Sequence, residues 1–235
     1  MSQVSIIASG AFAKCTSLSS IYAPLLKQII GATYSYSDGK YATAYAPFGG
    51  CSVLSSIDTS NLETITGFNV FHGLTMSSFV FPKLTSISAG AFYSYSTGTL
   101  QYINCSILSI LPNGLFSSKS TLTSYSFPQV TSIGDNTFNS CGISIANFPE
   151  AVSVGASAFY NCISIINVSF PKLTTIKNGA FYGCYNLSFG YFPEVNVIYS
   201  SAFYNCSSLN TLIFPKLSSI SGTYNFGSCY NLLSL

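Results

Sequence analysis

The sequence is poor in charge. Only 6% of its residues are charged, against about 25% in a typical soluble domain. Arginine and tryptophan are absent, and the net charge of +2 is too small for the basic surface of a nucleic-acid-binding protein. No apolar run reaches the length of roughly 18 residues that a membrane-spanning helix needs. The N-terminus also lacks a basic segment followed by a long apolar one, so no signal peptide is visible.

The residue types and spacings of common catalytic sites are missing too. The single histidine, His72, has no nucleophile motif near it. No Cys-x-x-Cys pair offers a zinc site, and no glycine-rich phosphate loop follows a strand pattern. The six carboxylates are scattered along the chain, at Asp38, Asp58, Glu63, Asp135, Glu150 and Glu194. The sequence therefore predicts a protein that is not an enzyme and holds no metal or cofactor.

What the sequence does contain is a repeat, and the cysteines reveal it. Seven of the eight cysteines lie three residues after a phenylalanine, and the last five of these phenylalanines are spaced 21, 22, 22 and 23 residues apart. A fixed period in this range is typical of a solenoid. The seven pairs are Phe12/Cys15, Phe48/Cys51, Phe138/Cys141, Phe159/Cys162, Phe181/Cys184, Phe203/Cys206 and Phe226/Cys229.

A Phe-Pro pair follows ten or eleven residues after each of the later repeat phenylalanines, as in Phe170-Pro171 and Phe192-Pro193. The unit reads roughly L-x-x-I-x-F-P-K-L-T-S-I-x-x-G-A-F-Y-x-C-x-x-L. Weaker copies centred on Phe71, Phe92 and Phe116 bring the count to ten units over a single domain, residues 1–235. One insertion, at about residues 31–47, interrupts the period.

Each unit is too short to bury its own apolar side, so stacking of the units must close the core. The segment before Phe-Pro alternates polar and apolar residues as a short strand does, and proline, which lacks a donor, should end that strand. We expect one parallel strand per repeat of about 22 residues. The cysteines should form a buried ladder of free thiols, because parallel side chains on adjacent coils do not aim at each other as a disulfide requires.

The repeat unit resembles the BspA-like, or Treponema pallidum-type, leucine-rich repeat. The copy from Phe170 to Cys184, FPKLTTIKNGAFYGC, matches at nearly every signature position. The resemblance implies a right-handed coil of the leucine-rich-repeat type. It also implies a binding or adhesion module on the surface of a bacterium or protozoan, because members of the family are mostly surface proteins. With no signal peptide visible, a cytoplasmic protein or a fragment of a longer chain remains an open alternative.

Two surfaces are candidate ligand sites. Outward positions on the predicted concave strand face are mostly Ser, Thr and Asn, with larger residues among them, and aromatic side chains amid small polar ones are typical of adaptable binding surfaces. The tyrosine-rich insertion is the second surface, since insertions in repeats are often binding loops. The candidate residues are Tyr22, Asp58, Tyr102, Phe189 and Tyr191 on the strands and Tyr34, Tyr36 and Tyr41 in the insertion.

The sequence thus predicts a non-catalytic module that binds a protein or glycan on a host or neighbouring cell, without nucleic acid or membrane insertion. The alternative is a structural spacer or assembly subunit, surface- or phage-associated, that stacks end to end. It follows from the absence of visible polar caps, which solenoids normally need. A further column of tyrosines, Tyr93, Tyr160, Tyr182 and Tyr204, is better explained by packing between coils than by function.

Overall fold

Short parallel strands make up the regular structure of the chain. The computed structural model describes residues 1–33, 45–93 and 99–235. The candidate residues Tyr34, Tyr36 and Tyr41 lie outside this described part. The strands, in chain order, are β1 (Ile6–Ile7), β2 (Ser20–Ile21), β3 (Gln28–Ile30), β4 (Ser56–Ile57), β5 (Thr64–Thr66), β6 (Ser78–Val80), β7 (Ser86–Ile87), β8 (Tyr102–Asn104), β9 (Ile110–Leu111), β10 (Ser124–Ser126), β11 (Ser132–Ile133), β12 (Ile145–Asn147), β13 (Ser153–Val154), β14 (Asn167–Ser169), β15 (Thr175–Ile176), β16 (Phe189–Tyr191), β17 (Val197–Ile198), β18 (Thr211–Ile213) and β19 (Ser219–Ile220).

The contacts divide the chain into two compact units. Unit 1 comprises Met1–Leu108 and Ser124–Phe127, and unit 2 comprises Ser109–Thr123 and Pro128–Leu235. Within unit 1 the strand orders are β1-β3-β5-β7, β2-β4 and β6-β8-β10; within unit 2 they are β9-β11-β13, β12-β14-β16-β18 and β15-β17-β19. A single domain over residues 1–235 stays a prediction.

The predicted solenoid is confirmed. The even-numbered strands are the predicted ones, and each paired partner lies one repeat away, as Phe189 opposite Asn167 does. Each even-numbered strand is followed by an odd-numbered one, so the described chain forms about nine turns from β2/β3 to β18/β19. The tenth repeat phenylalanine, Phe226, follows β19 and stacks on Phe203.

The odd-numbered strands provide a second strand in each turn, which the repeat pattern did not predict. They occupy the Ser-Ile segment after Phe-Pro, where only two or three residues are extended. Between the two strands the chain turns at Phe-Pro: Leu173 N–H donates to Phe170 O at 3.4 Å, and Val195 N–H to Phe192 O at 3.3 Å. Proline at the second position suits this turn because its fixed φ matches the one required there.

Two columns of stacked phenylalanines form the core of unit 2. The first holds the repeat phenylalanines; Phe159 and Phe181, for example, have ring centroids 5.3 Å apart and nearly parallel planes. The second holds the Phe-Pro phenylalanines, with Phe170 and Phe192 at 5.9 Å. All four of these rings are fully buried, and burial of one such ring is worth about 1.5–3 kcal/mol. Neighbouring coils thus supply each other's hydrophobic surface.

The turn around each repeat phenylalanine requires left-handed backbone at two places. The residue two before it and the residue two after it have positive φ in most coils, for example Ser157 (53°) and Asn161 (52°) around Phe159 and Gly179 (59°) and Gly183 (68°) around Phe181. Glycine and asparagine suit this conformation, whereas other residues are strained in it. The Gly and Asn of the repeat therefore suit the backbone conformation of the turn, although serine occupies these positions in several coils.

The cysteine ladder is confirmed, and its thiols also form hydrogen bonds. Six of the eight cysteines are buried and all eight are free. The Cys162 Sγ donates to Phe138 O at 2.8 Å, and the Cys184 Sγ donates to Phe159 O at 3.1 Å. Each carbonyl belongs to the preceding coil, so the cysteine links two coils while it fills the core. A thiol is a weak donor.

The residue after Phe-Pro alternates in charge from coil to coil, as Glu150, Lys172, Glu194 and Lys216. Lys172 pairs with Glu150 at 2.5 Å and Lys216 with Glu194 at 2.6 Å, each across one repeat. All four side chains are exposed, so each pair contributes a few tenths of a kcal/mol, within the roughly 0–1 kcal/mol found for surface pairs.

Replacement of Ser157 by glycine should stabilise the chain. Ser157 has a φ of 53°, and relief of left-handed strain should exceed the entropy cost of glycine, for a net gain of about 0.5–1 kcal/mol. Urea unfolding followed by circular dichroism measures the change. The matched control is Gly179→Ser at the same position of the next coil, which should lower the free energy of unfolding. Equal, unchanged stabilities for both variants would contradict this explanation of the turn.

The buried thiols should make the fold sensitive to alkaline pH. Burial raises the pKa of the Cys184 thiol from 9.0 to about 12, so the unfolded chain loses this proton at lower pH than the folded one. The stability is complete below pH 9 and is lost as the pH rises from about 9 toward 12, by about 1.4 kcal/mol per pH unit for one thiol. Unfolding free energies at pH 8, 9 and 10 should fall less steeply for Cys184→Ala than for wild type.

The control for that comparison is Leu187→Ala, which removes a fully buried side chain of the same coil without removing an ionisable group. It should lower stability at every pH and keep the wild-type slope. An identical slope for Cys184→Ala and wild type would show that the Cys184 pKa is not raised by folding.

Candidate ligand-binding faces

The even-numbered strands of unit 2 carry an exposed face of aligned side chains. Because β12, β14, β16 and β18 pair in register, their outward residues form two columns. Alternation places the middle residue of each strand inward, as Val168 and Leu212 show, each 1% exposed. The first column is Ile145, Asn167, Phe189 and Thr211, and the second is Asn147, Ser169, Tyr191 and Ile213.

Two aromatic side chains stand together on this face. Phe189 and Tyr191 lie at either side of Gly190 on β16 and are 37% and 38% exposed. Gly190 points inward, where an added Cβ would lie 2.5 Å from Leu212 Cδ2 and 2.8 Å from Phe192 Cε2. Core side chains from neighbouring positions thus fill the place of its missing side chain, and the strand keeps both aromatic rings on the outer face.

A groove of about 460 Å³ runs beside these rings. Its walls combine aromatic, aliphatic and amide groups, and none of the residues that line it is charged. The volume lies within the range of about 300–1,000 Å³ that small-ligand sites occupy. The groove is therefore suited to a neutral ligand that offers both apolar surface and hydrogen-bonding groups. The lining residues are Ile145, Asn147, Asn167, Val168, Ser169, Phe189 and Tyr191.

The candidate residues of unit 1 lie on two different sheets. Tyr22, which follows β2, is 71% exposed, and Asp58 follows β4 at the equivalent position of the next coil, where its N–H donates to Ile21 O at 2.9 Å. The Asp58 carboxylate accepts hydrogen bonds from Ser60 N and Ser60 Oγ at 3.2 and 2.6 Å. Tyr102 is half-buried at the start of β8. Tyr22 and Asp58 are thus neighbours, while Tyr102 lies on another sheet of the unit.

The tyrosine column packs between coils, as the sequence indicated. Tyr160 and Tyr182 stack with ring centroids 4.6 Å apart, and Tyr182 and Tyr204 stack at 5.0 Å. In each of these pairs, one ring face is turned toward the tyrosine of the neighbouring coil. Tyr93 instead makes an edge contact with Phe68.

The described carboxylates have structural partners. Glu63, Glu150 and Glu194 each form an ion pair with a lysine, and Asp135 Oδ1 accepts a hydrogen bond from Ala156 N at 2.7 Å. Within residues 1–33, 45–93 and 99–235, no three His, Cys, Asp or Glu side chains are grouped so as to hold a metal ion. No helix in that part of the chain is long and apolar enough to cross a membrane.

Solved structures show the same fold at low sequence identity. A leucine-rich repeat protein from Bacteroides ovatus superposes with a TM-score of 0.62 and 20% identity, over 99% of this chain and 70% of that one. A leucine-rich cell surface protein from Faecalibacterium prausnitzii gives 0.50 and 16%, over 98% and 82%. A leucine-rich repeat protein from Eubacterium ventriosum gives 0.50 and 16%, over 100% and 77%. At these identities the likeness concerns the fold.

No curated protein matches the chain. The family model described as the BspA type leucine-rich repeat region does match it, in six copies that span residues 1–39, 44–154 and 152–235. These ranges cover nearly all of the sequence and include the residues on which the repeat was recognised. The chain belongs to the BspA-type leucine-rich repeat family.

Proposed function

We propose that this chain is a non-catalytic binding module that holds a neutral protein or glycan ligand on the even-strand face of unit 2. The groove beside Phe189 and Tyr191 is the observation that carries this proposal. It combines two half-exposed aromatic rings with amide and hydroxyl groups on one rigid set of strands. Rigid aromatic side chains offer a large contact area at a low cost in conformational entropy.

The rigidity of the face supports a binding role. Its backbone is fixed by the ladder from β12 to β18, and the phenylalanine columns hold the strands from beneath. Preorganised side chains lose little freedom when a ligand arrives, which favours affinity. A ligand that stacks on Phe189 or Tyr191 would reach the Asn147, Asn167 and Ser169 side chains of the two preceding coils.

Adhesion at a cell surface is the setting that we propose for this module. The F. prausnitzii structure is described as that of a cell surface protein, and the nearly uncharged, hydroxyl-rich strand face suits contact with neutral glycans or proteins. The partner is then a molecule on a host or neighbouring cell. Tyr22, Asp58 and Tyr102 of unit 1 and the tyrosines of the insertion are further proposed contact residues.

Loss of the two aromatic side chains should abolish binding while the fold persists. The test is binding of the purified chain to a panel of glycans and extracellular-matrix proteins, beside the double variant Phe189→Ser/Tyr191→Ser. We expect saturable binding that falls at least about tenfold in the variant, because central aromatic residues dominate interface energies.

The matched control removes two exposed tyrosines from elsewhere in unit 2, as Tyr185→Ser/Tyr199→Ser. Those residues are 41% and 44% exposed and lie outside the groove lining, so binding should change by less than about twofold. Equal binding by all three proteins would refute a role for the groove. Absence of binding to every molecule, together with a mass that rises with concentration, would favour a structural repeat that assembles with itself.

A further inference from the structure

The sheet of even-numbered strands in unit 1 is interrupted between β4 and β6. β4 pairs with β2, and β6 pairs with β8, but β4 and β6 are not neighbours in any sheet of the described chain. On the same two coils, β5 and β7 pair normally, with Ile65 opposite Ile87. The two coils are thus joined along their odd-numbered strands and separated along their even-numbered ones. We call the opening between β4 and β6 the wedge.

The β6 coil departs from the repeat pattern at a residue beside the opening. In the other coils a leucine or isoleucine lies two residues before the even-numbered strand, and in most of them, as with Leu54, Leu100 and Leu187, it is fully buried. Met76 occupies that position before β6, and it is only half-buried. Met76 lines the wedge.

Backbone groups of β6 face into this wedge. Ser77 O accepts a hydrogen bond from Tyr102 N at 3.1 Å, and Phe81 N–H donates to Asn104 O at 2.8 Å, so these groups are directed toward β8. Successive residues of a parallel strand direct their N–H and C=O groups to opposite neighbours. Ser78 and Val80 therefore direct theirs toward β4, where the Thr59 Oγ1 donates to Val80 O at 2.7 Å and closes one end of the wedge.

The wedge has the size and lining of a binding site. Its volume is about 440 Å³, and Ile57 and Phe79, both nearly buried, are among its lining residues. The remaining lining is rich in hydroxyl groups and contains no charge, from Ser55, Ser56, Thr59, Thr75, Ser77 and Ser78.

We propose that the wedge binds a short extended peptide segment, which adds a strand along the edge of β6. The Ser78 N–H, Ser78 C=O and Val80 N–H groups would form the main-chain hydrogen bonds, as in other cases where a peptide extends a sheet. β6 is three residues long, so about three residues of the peptide, or roughly 10 Å, pair with it. Small or apolar side chains fit the uncharged walls, and one of them lies on Ile57 and Phe79.

A peptide suits this wedge better than a sugar. The edge of a strand presents donors and acceptors in an order that an extended backbone matches residue by residue. No aromatic ring face is exposed in the wedge for a sugar to stack on, because Phe79 is 2% exposed. This site is separate from the groove beside Phe189 and Tyr191, and it does not depend on the function proposed for that groove.

Selection from a random heptapeptide library displayed on phage, against the full chain, provides the probe. An enriched peptide is then synthesised, and its affinity is measured for wild type, Ser78→Trp, Ser56→Trp and Ser124→Trp. Ser78 and Ser56 line the two sides of the wedge, and both tryptophans should weaken binding more than about tenfold by filling it. Ser124, an exposed residue at the first position of β10, is the matched control and should change affinity less than about twofold.

Hydrogen exchange distinguishes strand addition from other binding. The Ser78 and Val80 amides should exchange more slowly when the peptide is bound, and N-methylation of alternate peptide amides should abolish binding. Three results would each overturn the proposal: a library that yields no enriched peptide, peptides that bind well-folded Ser78→Trp and Ser56→Trp as tightly as wild type, or binding without slower exchange at Ser78 and Val80. Binding of a neutral sugar in the wedge, with those amides unprotected, would assign the site to a glycan instead.

Discussion

Each coil of this protein is too short to bury its own apolar side chains, and the rest of the structure depends on that constraint. Phe159, Phe181 and Phe203 stack in one column and Phe148, Phe170 and Phe192 in another, so the burial of every ring is completed by the coil before and the coil after. Polar groups also depend on the neighbouring coils. The Cys184 Sγ–Phe159 O hydrogen bond and the parallel strand ladders each join one coil to the next. Stability is then a sum of contacts between neighbours.

This constraint explains why the repeats vary little at inward positions and vary widely at outward positions. Inward positions must match the coil above and below, and most of them are Phe, Leu, Ile, Val, Ala or Cys. Outward side chains on the even-numbered strands are not part of the buried core. Phe189 and Tyr191 can therefore replace the Ser and Asn of other repeats at little cost in stability. Between β4 and β6 the ladder of even-numbered strands is interrupted, and Met76 lines the opening. The two proposed sites thus differ in origin, since the groove depends on outward residues and the wedge on an interrupted strand ladder.

The repeat was predictable from the sequence because it rests on identical residues at a fixed period. The outward residues of β16 and β18 were also predictable, because inward and outward residues alternate along the strand of each repeat. The odd-numbered strands were less visible, since a Ser-Ile pair is too short to show alternation. The thiol hydrogen bonds were missed because burial alone explained the cysteines. The turn residues with positive φ were only partly predictable. Glycine at positions 179 and 183 indicates such a turn, whereas Ser157 and Tyr224 do not. The groove and the wedge depend on how neighbouring strands are spaced, which no single repeat encodes.

Removal of one complete coil tests most directly whether stability is a sum over neighbouring coils. Deletion of residues 171–192 removes 22 residues and joins Phe170 to Pro193, which restores a Phe-Pro pair and the register of both phenylalanine columns. Circular dichroism and thiol accessibility should show a folded protein with buried cysteines and cooperative unfolding, at a stability below that of wild type. A matched deletion of residues 171–181, half a coil, should unfold unit 2. If the two deletions disrupt the protein equally, the coils are not interchangeable neighbours and the stability is not a sum over neighbouring coils.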